Sequence, residues 1–553
     1  SVDGSDSLVD SPTNGSASSG GDAGGVVVGN YATLNPLQLS TAGTSNTLAN
    51  GNLESASNRT ANDNWTLSTI ALPSSGKWYC EVAASAGAGV GLLDITTTPS
   101  SAQPTNYRTY YGVNGNKVST GNTSATYGAT FTTTDVVGIA ADMDAGTLVF
   151  YKNGSSQGTA YTDIVSAGKT WAFGAVYVGN TSNTSVWNFG QRPFAYAAPS
   201  GFKSLNTANL PASTILKGSD YFDTKLYTGN GSTQTISGLA FSPDLVWLKN
   251  RSAGDYHRLN DIIRGANRHL FSNTTDAEVV NDANGYLSAF TSDGFSLTSG
   301  TGVNASGNAY TAWCWDGGTS TVTNTQGSIT STCRTSTSSG FSIVTYTGNL
   351  SGSGTATVGH GLGVAPQMVI TKRRNGASDW VVQHGGLPSA NNLIYLNSTS
   401  ATSTSGYGTI IAPTSSVFTT AWITGLNTNG DTHVAYCFAP VSGYSSFGSY
   451  TGNGSADGPF VYTGFRVKYL IQKKASSGLG EWIIWDSSRK TYNSQGPFIF
   501  ADSSAAEGAD AEYIDFLSNG FKIRTTNTTI NANGVTSIYI AFAENPFSIA
   551  RAR

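Results

Sequence analysis

Acidic residues cluster near the C-terminal end of the chain, at Glu507, Asp510, Glu512 and Asp515. Two carboxylates can hydrolyse a glycosidic bond when their carboxyl groups lie about 5 to 9 Å apart. Charges on a loop are more commonly part of its solvated surface. We therefore expect a surface loop here and keep glycan hydrolysis as the alternative.

Other patterns suggest metal or cofactor binding but lack essential parts. Asp142, Asp144 and Gly146 match the start of a calcium loop, yet no glutamate follows at the required position, so we expect a hairpin turn. The glycines at 87–91 lack the spacing and the helix of a dinucleotide site. The sequence has no nucleophile elbow, and its five histidines are scattered. We expect no cofactor, no metal site and no catalysis.

Aromatic side chains among short polar ones are typical of binding surfaces. The candidate ligand-binding residues are Tyr107, Arg108, Tyr110, Tyr111, Trp482 and Trp485. The alternative for Tyr110 and Tyr111 is that they begin a strand with one ring buried. Trp482 and Trp485 are three residues apart, so they face opposite sides of a strand and we expect only one in the core.

The basic residues Lys372, Arg373 and Arg374 end a long apolar segment. They could bind anionic sugars or phosphates. Lysines that keep an edge strand from aggregating would explain them equally well, and the sequence leaves both interpretations open.

Composition excludes several classes of function. Charged residues form 11% of the 553 residues and the net charge is −4, which disfavours nucleic acid as a partner. No run of about eighteen apolar residues is present, so we expect no membrane insertion. The four cysteines lack metal-ligand spacing, and three lie in apolar runs, which favours buried free thiols. Because the chain starts at Ser1, we expect a preceding N-terminal region, whereas the C-terminus is expected to be the natural one.

The second half of the chain contains a threefold repeat. Residues 227–230, 346–349 and 450–453 each read Tyr-Thr-Gly-Asn, at spacings of 119 and 104 residues. Such spacings match small domains in series. We predict a linker or extended arm at 1–30, a first domain at 31–205, repeats at 218–318, 341–440 and 445–547, and a linker at 319–340.

Short runs rich in β-branched and aromatic residues, separated by Gly, Asn, Ser and Asp, predict strands almost throughout. Residues 259–270 are the exception, where we expect one or two helical turns. Two packed antiparallel sheets per domain is the usual architecture for this pattern.

Three ordered motifs in the first domain resemble the SPRY family, which has a concanavalin-like β-sandwich fold. They are the W-Y-x-E-V strand within 76–82, the D-x-V-G strand within 134–140, and the L-x-F-Y-K-N-G hairpin within 142–154. The implied fold class is all-β: a SPRY-like β-sandwich followed by three tandem antiparallel β-sandwich-like modules. Related domains generally bind partners through loops at one end of the sandwich.

The segments 10–14, 30–36 and 187–194 resemble SPRY-containing structural proteins of tailed bacteriophages. This resemblance implies a virion appendage, a tail fibre or receptor-binding protein for host attachment, with a capsid or tail decoration protein and a glycan depolymerase as alternatives. The implied partners are a bacterial cell-surface glycan or protein and other virion proteins contacted through the N-terminal region. A homotrimer, assembled in the host cytoplasm and carried on the extracellular particle, follows by analogy.

Overall fold

The structure is a computed structural model that describes residues 30–40, 45–58, 64–97, 103–178, 182–404, 406, 408–509, 511 and 513–546. The chain divides into two compact units, Ser1–Ala212 and Ser213–Arg553. The arm expected at 1–30 lies outside the described residues except for Asn30. None of the helices among the described residues is long and apolar enough to cross a membrane.

The first unit is a sandwich of two antiparallel sheets. Its strands are β1 (Ser45–Ala49), β2 (Glu54–Asn58), β3 (Asn64–Leu67), β4 (Lys77–Ala84), β5 (Ala88–Asp94), β6 (Tyr107–Tyr111), β7 (Asn116–Ser119), β8 (Thr123–Thr126), β9 (Val137–Asp142), β10 (Thr147–Lys152), β11 (Ser155–Tyr161), β12 (Trp171–Tyr177), β13 (Asn183–Asn188) and β14 (Lys203–Ser204). One sheet has the order β1-β2-β13-β4-β9-β10-β11, with β14 parallel to β4, and the other has the order β3-β12-β5-β6-β7-β8.

The second unit contains the three repeats. Repeat 1 comprises β15 (Phe222–Thr228), β16 (Gln234–Ile236), β17 (Leu245–Asn250), β18 (Arg258–Asp261), β19 (Arg268–His269), β20 (Val279–Val280), β21 (Leu287–Thr291), β22 (Gly294–Leu297), the short helix α1 (Thr301–Asn304) and β23 (Ala309–Trp315). In place of the helical turns expected at 259–270, the end of β18 and the short strand β19 are present. Asn260 explains this, because its side-chain amide donates to the carbonyls of Ala266 and Arg268 and fixes a turn between strands.

The remaining strands follow the same order of elements. Repeat 2 and the hairpin before it comprise β24 (Thr321–Asn324), β25 (Ser331–Ser336), β26 (Phe341–Thr347), β27 (Thr355–Gly359), β28 (Met368–Arg373), β29 (Val381–His384), β30 (Asn392–Tyr395), β31 (Ser403–Thr404), β32 (Val417–Ala421) and β33 (Thr432–Phe438). Repeat 3 comprises β34 (Ser445–Thr451), β35 (Phe460–Tyr462), β36 (Phe465–Lys474), β37 (Trp482–Asp486), β38 (Ile499–Phe500), β39 (Ile514–Leu517), β40 (Gly520–Ile523), α2 (Thr528–Asn531) and β41 (Thr536–Pro546).

The interval 319–340 is not the linker expected from its Ser- and Thr-rich sequence. It forms β24 and β25, and β25 pairs with β26 along its whole length, from Ser331 opposite Tyr346 to Ser336 opposite Phe341. Cys333 and Ile329 supply the apolar side chains that anchor this hairpin to the core of repeat 2. The hydrophobic pattern is too sparse to predict strands, and pairing with a neighbour decides the structure.

The three repeats share one hydrophobic core instead of forming separate domains. Large side chains from every repeat meet in it, among them Trp247, Trp313, Trp315, Trp380, Tyr436, Trp482 and Phe542. Each repeat also contacts the next through a hydrogen bond to a backbone carbonyl: Trp380 Nε1 donates to Phe271 at 2.7 Å, Trp482 Nε1 to Tyr395 at 2.8 Å, and His257 Nε2 to Phe500 at 2.9 Å. These contacts run from repeat 2 to 1, from 3 to 2 and from 1 to 3, so they close a ring.

The all-β fold class predicted from the sequence is confirmed. All four cysteines are buried free thiols, as expected.

Candidate functional site

One end of the first unit is organised around Arg108, near the start of β6. Its guanidinium forks onto the carboxylate of Asp163, with Nε 3.0 Å from Oδ1 and Nη2 2.7 Å from Oδ2. Its Nη1 donates to the carbonyl of Tyr107 at 2.8 Å and to the hydroxyl of Thr120 at 3.3 Å. The hydrogen bonds from Arg108 lower the pKa of Asp163. Arg108 therefore joins the turn at 120–122 to the loop at 162–170.

Aromatic rings support Arg108 from below. The guanidinium lies 5.7 Å from the ring centres of both Tyr161 and Trp171, a cation–π arrangement. The Trp171 indole donates to the carbonyl of Ile164 at 2.6 Å, which holds the same loop from inside. Burial raises the pKa of Tyr161, whose hydroxyl donates to the carbonyl of Thr109.

Asp94, at the end of β5, is a second residue that fixes the loops at the Arg108 end of the first unit. It is fully buried, and its carboxylate accepts from the backbone and hydroxyl of Thr96 and from the amide of Asn106 at 3.0 Å. Lys169 lies 3.9 Å away on the 162–170 loop. Sequence reasoning missed Asp94 and Asp163, because Lys169 and Arg108 come close to them only through the fold and neither aspartate lies in a motif.

We call the outer face of these loops the Arg108 surface; its exposed residues include Thr120, Asn122, Val165 and Lys169. Val165 is 46% exposed beside short polar side chains. The surface is fixed by the Arg108–Asp163 ion pair, in which the Asp163 side chain is 46% exposed, and by the fully buried Asp94. It is suited to contact with a complementary protein surface.

The tyrosines proposed as ligand contacts lie inside the sandwich, not on its surface. Tyr107, Tyr110 and Tyr111 are 1%, 0% and 5% exposed. The Tyr107 hydroxyl donates to Asn122 at 2.8 Å, and that of Tyr110 donates to the carbonyl of Ala129. Both faces of β6 are covered, so a ring on either face of the strand is buried. Tyr107 supports the turn at 120–122, and none of the three rings forms an exposed ligand face.

Trp482 and Trp485 are both fully buried as well, although we expected only one in the core. They do face opposite sides of β37: Trp482 packs in the shared core and Trp485 in the core of repeat 3. The strand is covered on both faces because each repeat has its own small sheet outside the shared core. Neither indole is exposed for stacking on a ligand.

The basic residues at the end of β28 bind other parts of the protein. The Lys372 ammonium donates to the carbonyls of Thr275 at 2.9 Å and Ser378 at 2.6 Å. Arg373 pairs with Asp431 at 2.8 Å, and Arg374 pairs with Glu278 of repeat 1 at 3.0 Å. The three basic side chains thus have partners within the protein, which neither anion binding nor protection of an edge strand had predicted. The residues join neighbouring parts of the second unit.

The acidic cluster is likewise occupied where it is described. Glu507 pairs with Arg251 of repeat 1 at 2.8 Å and with Arg489 at 3.0 Å. Burial opposes ionisation of Glu507, but hydrogen bonds and charges from the two arginines lower its pKa overall. Asp515 pairs with Arg524 at 2.6 Å, and Asp510 and Glu512 lie outside the described residues. A carboxylate held ionised between two arginines is not suited to act as a general acid.

The calcium-like segment forms the turn between β9 and β10. The Asp142 carboxylate accepts from the backbone N–H groups of Asp144 and Ala145 and pairs with Lys77 at 3.0 Å. This is the hairpin turn expected from the sequence. Within the described ranges, no group of three or more potential metal ligands comes together.

Comparison with known proteins agrees with these two units. Residues 77–192 match the SPRY domain model, which identifies the first unit as a SPRY-domain sandwich. Residues 217–546, more than half of the chain, match the Domain of unknown function (DUF7483) model. The chain therefore belongs to the DUF7483 family, with a SPRY domain before the family's domain.

Curated relatives match only part of the chain. The Ran-binding proteins 9/10 homolog of Drosophila melanogaster is 34% identical over 87 residues, which are 16% of this chain and 9% of that protein. Ran-binding protein 9 of Homo sapiens is 33% identical over 87 residues, or 16% and 11% of the two chains. The E3 ubiquitin-protein ligase RKP of Arabidopsis thaliana is 32% identical over 99 residues, or 18% and 8%. The chain thus spans less than a sixth of each of these relatives.

Among solved structures, the SPRY domain of human HERC1 is similar, with 17% identity and a TM-score of 0.23, covering 28% of this chain and 96% of that one.

The phage interpretation is wrong. The relatives that carry the matching sequence are eukaryotic cellular proteins, from an insect, a human and a plant. This overturns the assignments as tail fibre or receptor-binding protein, as capsid or tail decoration and as glycan depolymerase. It also overturns the bacterial-surface and virion partners, the trimer drawn from phage fibres, and the location on a virion. The error came from short flanking segments, whose resemblance was much less specific than the SPRY motifs.

Proposed function

We propose that this protein is a protein-interaction scaffold whose SPRY domain binds a partner protein through the Arg108 surface. The observation that carries the proposal is the set of exposed loops fixed from below by Arg108, Asp163 and Asp94. A preorganised surface loses little conformational entropy on binding. The relatives named Ran-binding proteins and an E3 ubiquitin-protein ligase support a role in protein recognition.

We also propose that the protein acts without catalysis. Glu507, one of the acidic residues considered for glycan hydrolysis, is held between two arginines. His257 and His384, which could serve as general bases, are buried and use both ring nitrogens in structural hydrogen bonds.

The test compares two exposed valines, one near each end of β6. Val165 belongs to the Arg108 surface, whereas Val113 follows the other end of β6 and is 59% exposed. The full chain and its Val165→Asp and Val113→Asp variants are immobilised and exposed to eukaryotic cell extract, and bound proteins are quantified by mass spectrometry. Purified Ran serves as a defined additional probe.

The proposal predicts that the full chain and the Val113→Asp variant enrich the same proteins from the extract. Val165→Asp should lower that enrichment at least about tenfold, because a buried charge opposes an interface. Equal binding by both variants, or no enrichment over a blank support, would refute the Arg108 surface as the binding site.

A further inference from the structure

The three repeats have an equivalent corner where the long apolar strand pairs with the end of the next strand. Leu245 lies opposite Asp261, Met368 opposite His384 and Tyr469 opposite Asp486. Immediately beyond each pair a backbone hydrogen bond closes the corner: Ile262 donates to Asp244 at 2.9 Å, Gly385 to Gln367 at 2.7 Å and Ser487 to Lys468 at 2.8 Å. The corners can therefore be compared residue by residue.

Repeat 1 seals its corner with charges. Asp244 is 1% exposed and accepts from Arg334 at 2.9 Å. Asp261 and Arg264 form an ion pair in which both side chains are fully buried, and Arg264 also donates to the hydroxyl of Tyr436 at 3.1 Å.

Repeat 3 does the same with other residues. Lys468 pairs with Asp223, and Asp486 and Arg489 form a fully buried pair at 2.6 Å. The Trp313 indole donates to Asp486 at 3.0 Å, so the pair also joins repeat 3 to repeat 1.

Repeat 2 has no charge at any of the three equivalent positions, which are Gln367, His384 and Leu387. His384 uses its Nδ1 to accept from Gly386 and its Nε2 to donate to the carbonyl of Tyr539. Gln367 is exposed, and its side-chain amide makes no hydrogen bond with the described residues. It lies over Gly385, where a Cβ would come within 1.9 Å of its Oε1.

An open cavity of about 210 Å³ lies at this corner and is lined by all three of these residues. Met368 and Val369 are buried residues of its lining, and Ala390 and Ala412 lie at an exposed rim. No residue with a formal charge lines it. Its lining contains the three positions that ion-paired residues occupy in the other two repeats.

The surroundings of the cavity are apolar too. Val364 and Ile411 are 51% and 56% exposed, on the two loops that continue from its lining. These loops lie side by side, because the backbone N–H of His360 donates to the carbonyl of Ser416 at 3.2 Å and its ring bonds to that of Thr414 at 3.1 Å.

We propose that this corner of repeat 2 is an anchor pocket for one aromatic or long apolar side chain of a partner protein. Pockets for whole small ligands are usually about 300 to 1,000 Å³, so the cavity suits a single side chain. Two exposed aliphatic residues beside its mouth extend the contact beyond that side chain, as expected for a protein partner. A pocket without formal charge, lined by apolar side chains together with Gln367, Gln383 and His384, can seat an interface hot spot. This site lies in the second unit, and its test does not depend on the Arg108 surface.

The test uses the full chain and three defined probes: N-acetyltryptophanamide, N-acetyllysinamide and N-acetylglycinamide. Binding is followed by saturation-transfer NMR titration. Ala390→Trp places an indole at the exposed rim, and Ala505→Trp places one at an exposed alanine in repeat 3 as the matched control. The double variant His384→Asp/Leu387→Arg introduces the acid and arginine found in the other two corners, and thermal unfolding reports whether each variant is folded.

The proposal predicts saturable binding of the tryptophan amide, weakened at least about tenfold by Ala390→Trp and unchanged by Ala505→Trp, since only the first blocks the pocket. The double variant, if folded, should also lose binding. Absence of saturable binding, equal binding by the lysine amide, or retained binding in a folded Ala390→Trp variant would each overturn the proposal.

Discussion

Buried polar residues of the second unit are structural connectors, and their partners include residues distant in sequence as well as local ones. Lys249, Lys372 and Lys473 occupy equivalent positions, and burial lowers the pKa of each to about 8. Each ammonium donates to backbone carbonyls, including that of Ser504 for Lys249 and that of Thr275 for Lys372. Side chains that suggest anion binding or catalysis in the sequence therefore hold loops of neighbouring repeats.

At this scale we predict that Glu507→Gln destabilises the protein. The substitution leaves Arg251 and Arg489 without their shared carboxylate, and breaking a largely buried pair costs about 3 to 5 kcal/mol. Urea unfolding measures the loss of free energy. Asp220→Asn is the control, because its ion pair with Lys217 is exposed and worth at most about 1 kcal/mol. Equal stability of the two variants would contradict this assignment.

At the scale of elements, the Tyr-Thr-Gly-Asn segments join the first strand of each repeat to the turn before its last strand. The tyrosine hydroxyls donate to the carbonyls of Val303, Leu426 and Ile530 at 2.7, 2.5 and 2.7 Å. The backbone N–H of each asparagine donates to the side chain of Asn304, Asn427 or Asn531. The repeated Tyr-Thr-Gly-Asn motif thus forms the same structural joint in each of the three repeats.

The glycine of this joint gives a second prediction. A Cβ at Gly348 would lie 2.3 Å from the carbonyl oxygen of Thr428, so Gly348→Ala must displace backbone. We expect a loss of about 1 to 3 kcal/mol, the usual cost of overpacking. Gly254→Ala is the matched control, because its Cβ would be 3.6 Å from the nearest atom, an ordinary contact. Chemical denaturation should separate the two; a neutral Gly348→Ala would show that the joint can relax.

At the scale of the whole molecule, the closed ring of repeats makes the second unit one folding unit. The large apolar side chains of each repeat are covered by the other two. An excised repeat would expose this surface to water, at about 25 cal/mol for each Å².

We therefore predict that residues 341–440 alone do not form a stable fold, whereas residues 213–546 unfold in one cooperative transition. Circular dichroism and proton NMR of the two fragments test this. A sharp thermal transition in the isolated repeat would show that the shared core is dispensable.

A pH dependence also belongs to this scale, because all five histidines lie in the second unit. Burial lowers the pKa of His269 and His384 to about 4 and that of His433 to about 3. Between pH 6.5 and 4 the unfolded chain therefore binds protons that the folded chain does not, and stability falls as pH falls. Burial raises the pKa of Asp244 to about 6 and of Asp502 to about 7. These two aspartates take up protons in the folded chain and so oppose the loss of stability, but they are fewer than the five histidines.

We expect the second unit to lose stability from pH 6.5 to 5, at up to about 1.4 kcal/mol per pH unit for each net proton. Hydrogen exchange with mass spectrometry follows each unit separately in the full chain. His433→Gln should reduce the slope, and a slope that is flat or reversed would show that the aspartates dominate.

The sequence alone determined the strand content, the SPRY resemblance and the threefold repeat, since these depend on local pattern. It also indicated buried thiols, from the apolar residues around the cysteines. It did not reveal that strands such as β6 and β37 are covered on both faces, so its binding residues Tyr107, Tyr110, Tyr111, Trp482 and Trp485 proved to be core. Arg108 has a different role, as a brace for loops.

Only the tertiary structure decided which charges are paired, which corners are sealed and how the repeats associate. Glu507 and Lys249 each have one partner in a different repeat, Arg251 at a separation of 256 residues and Ser504 at 255. Such contacts depend on ring closure, which no local pattern contains. The physical reason is that a hydrophobic period specifies which face of a strand is apolar, whereas packing between repeats specifies what covers that face.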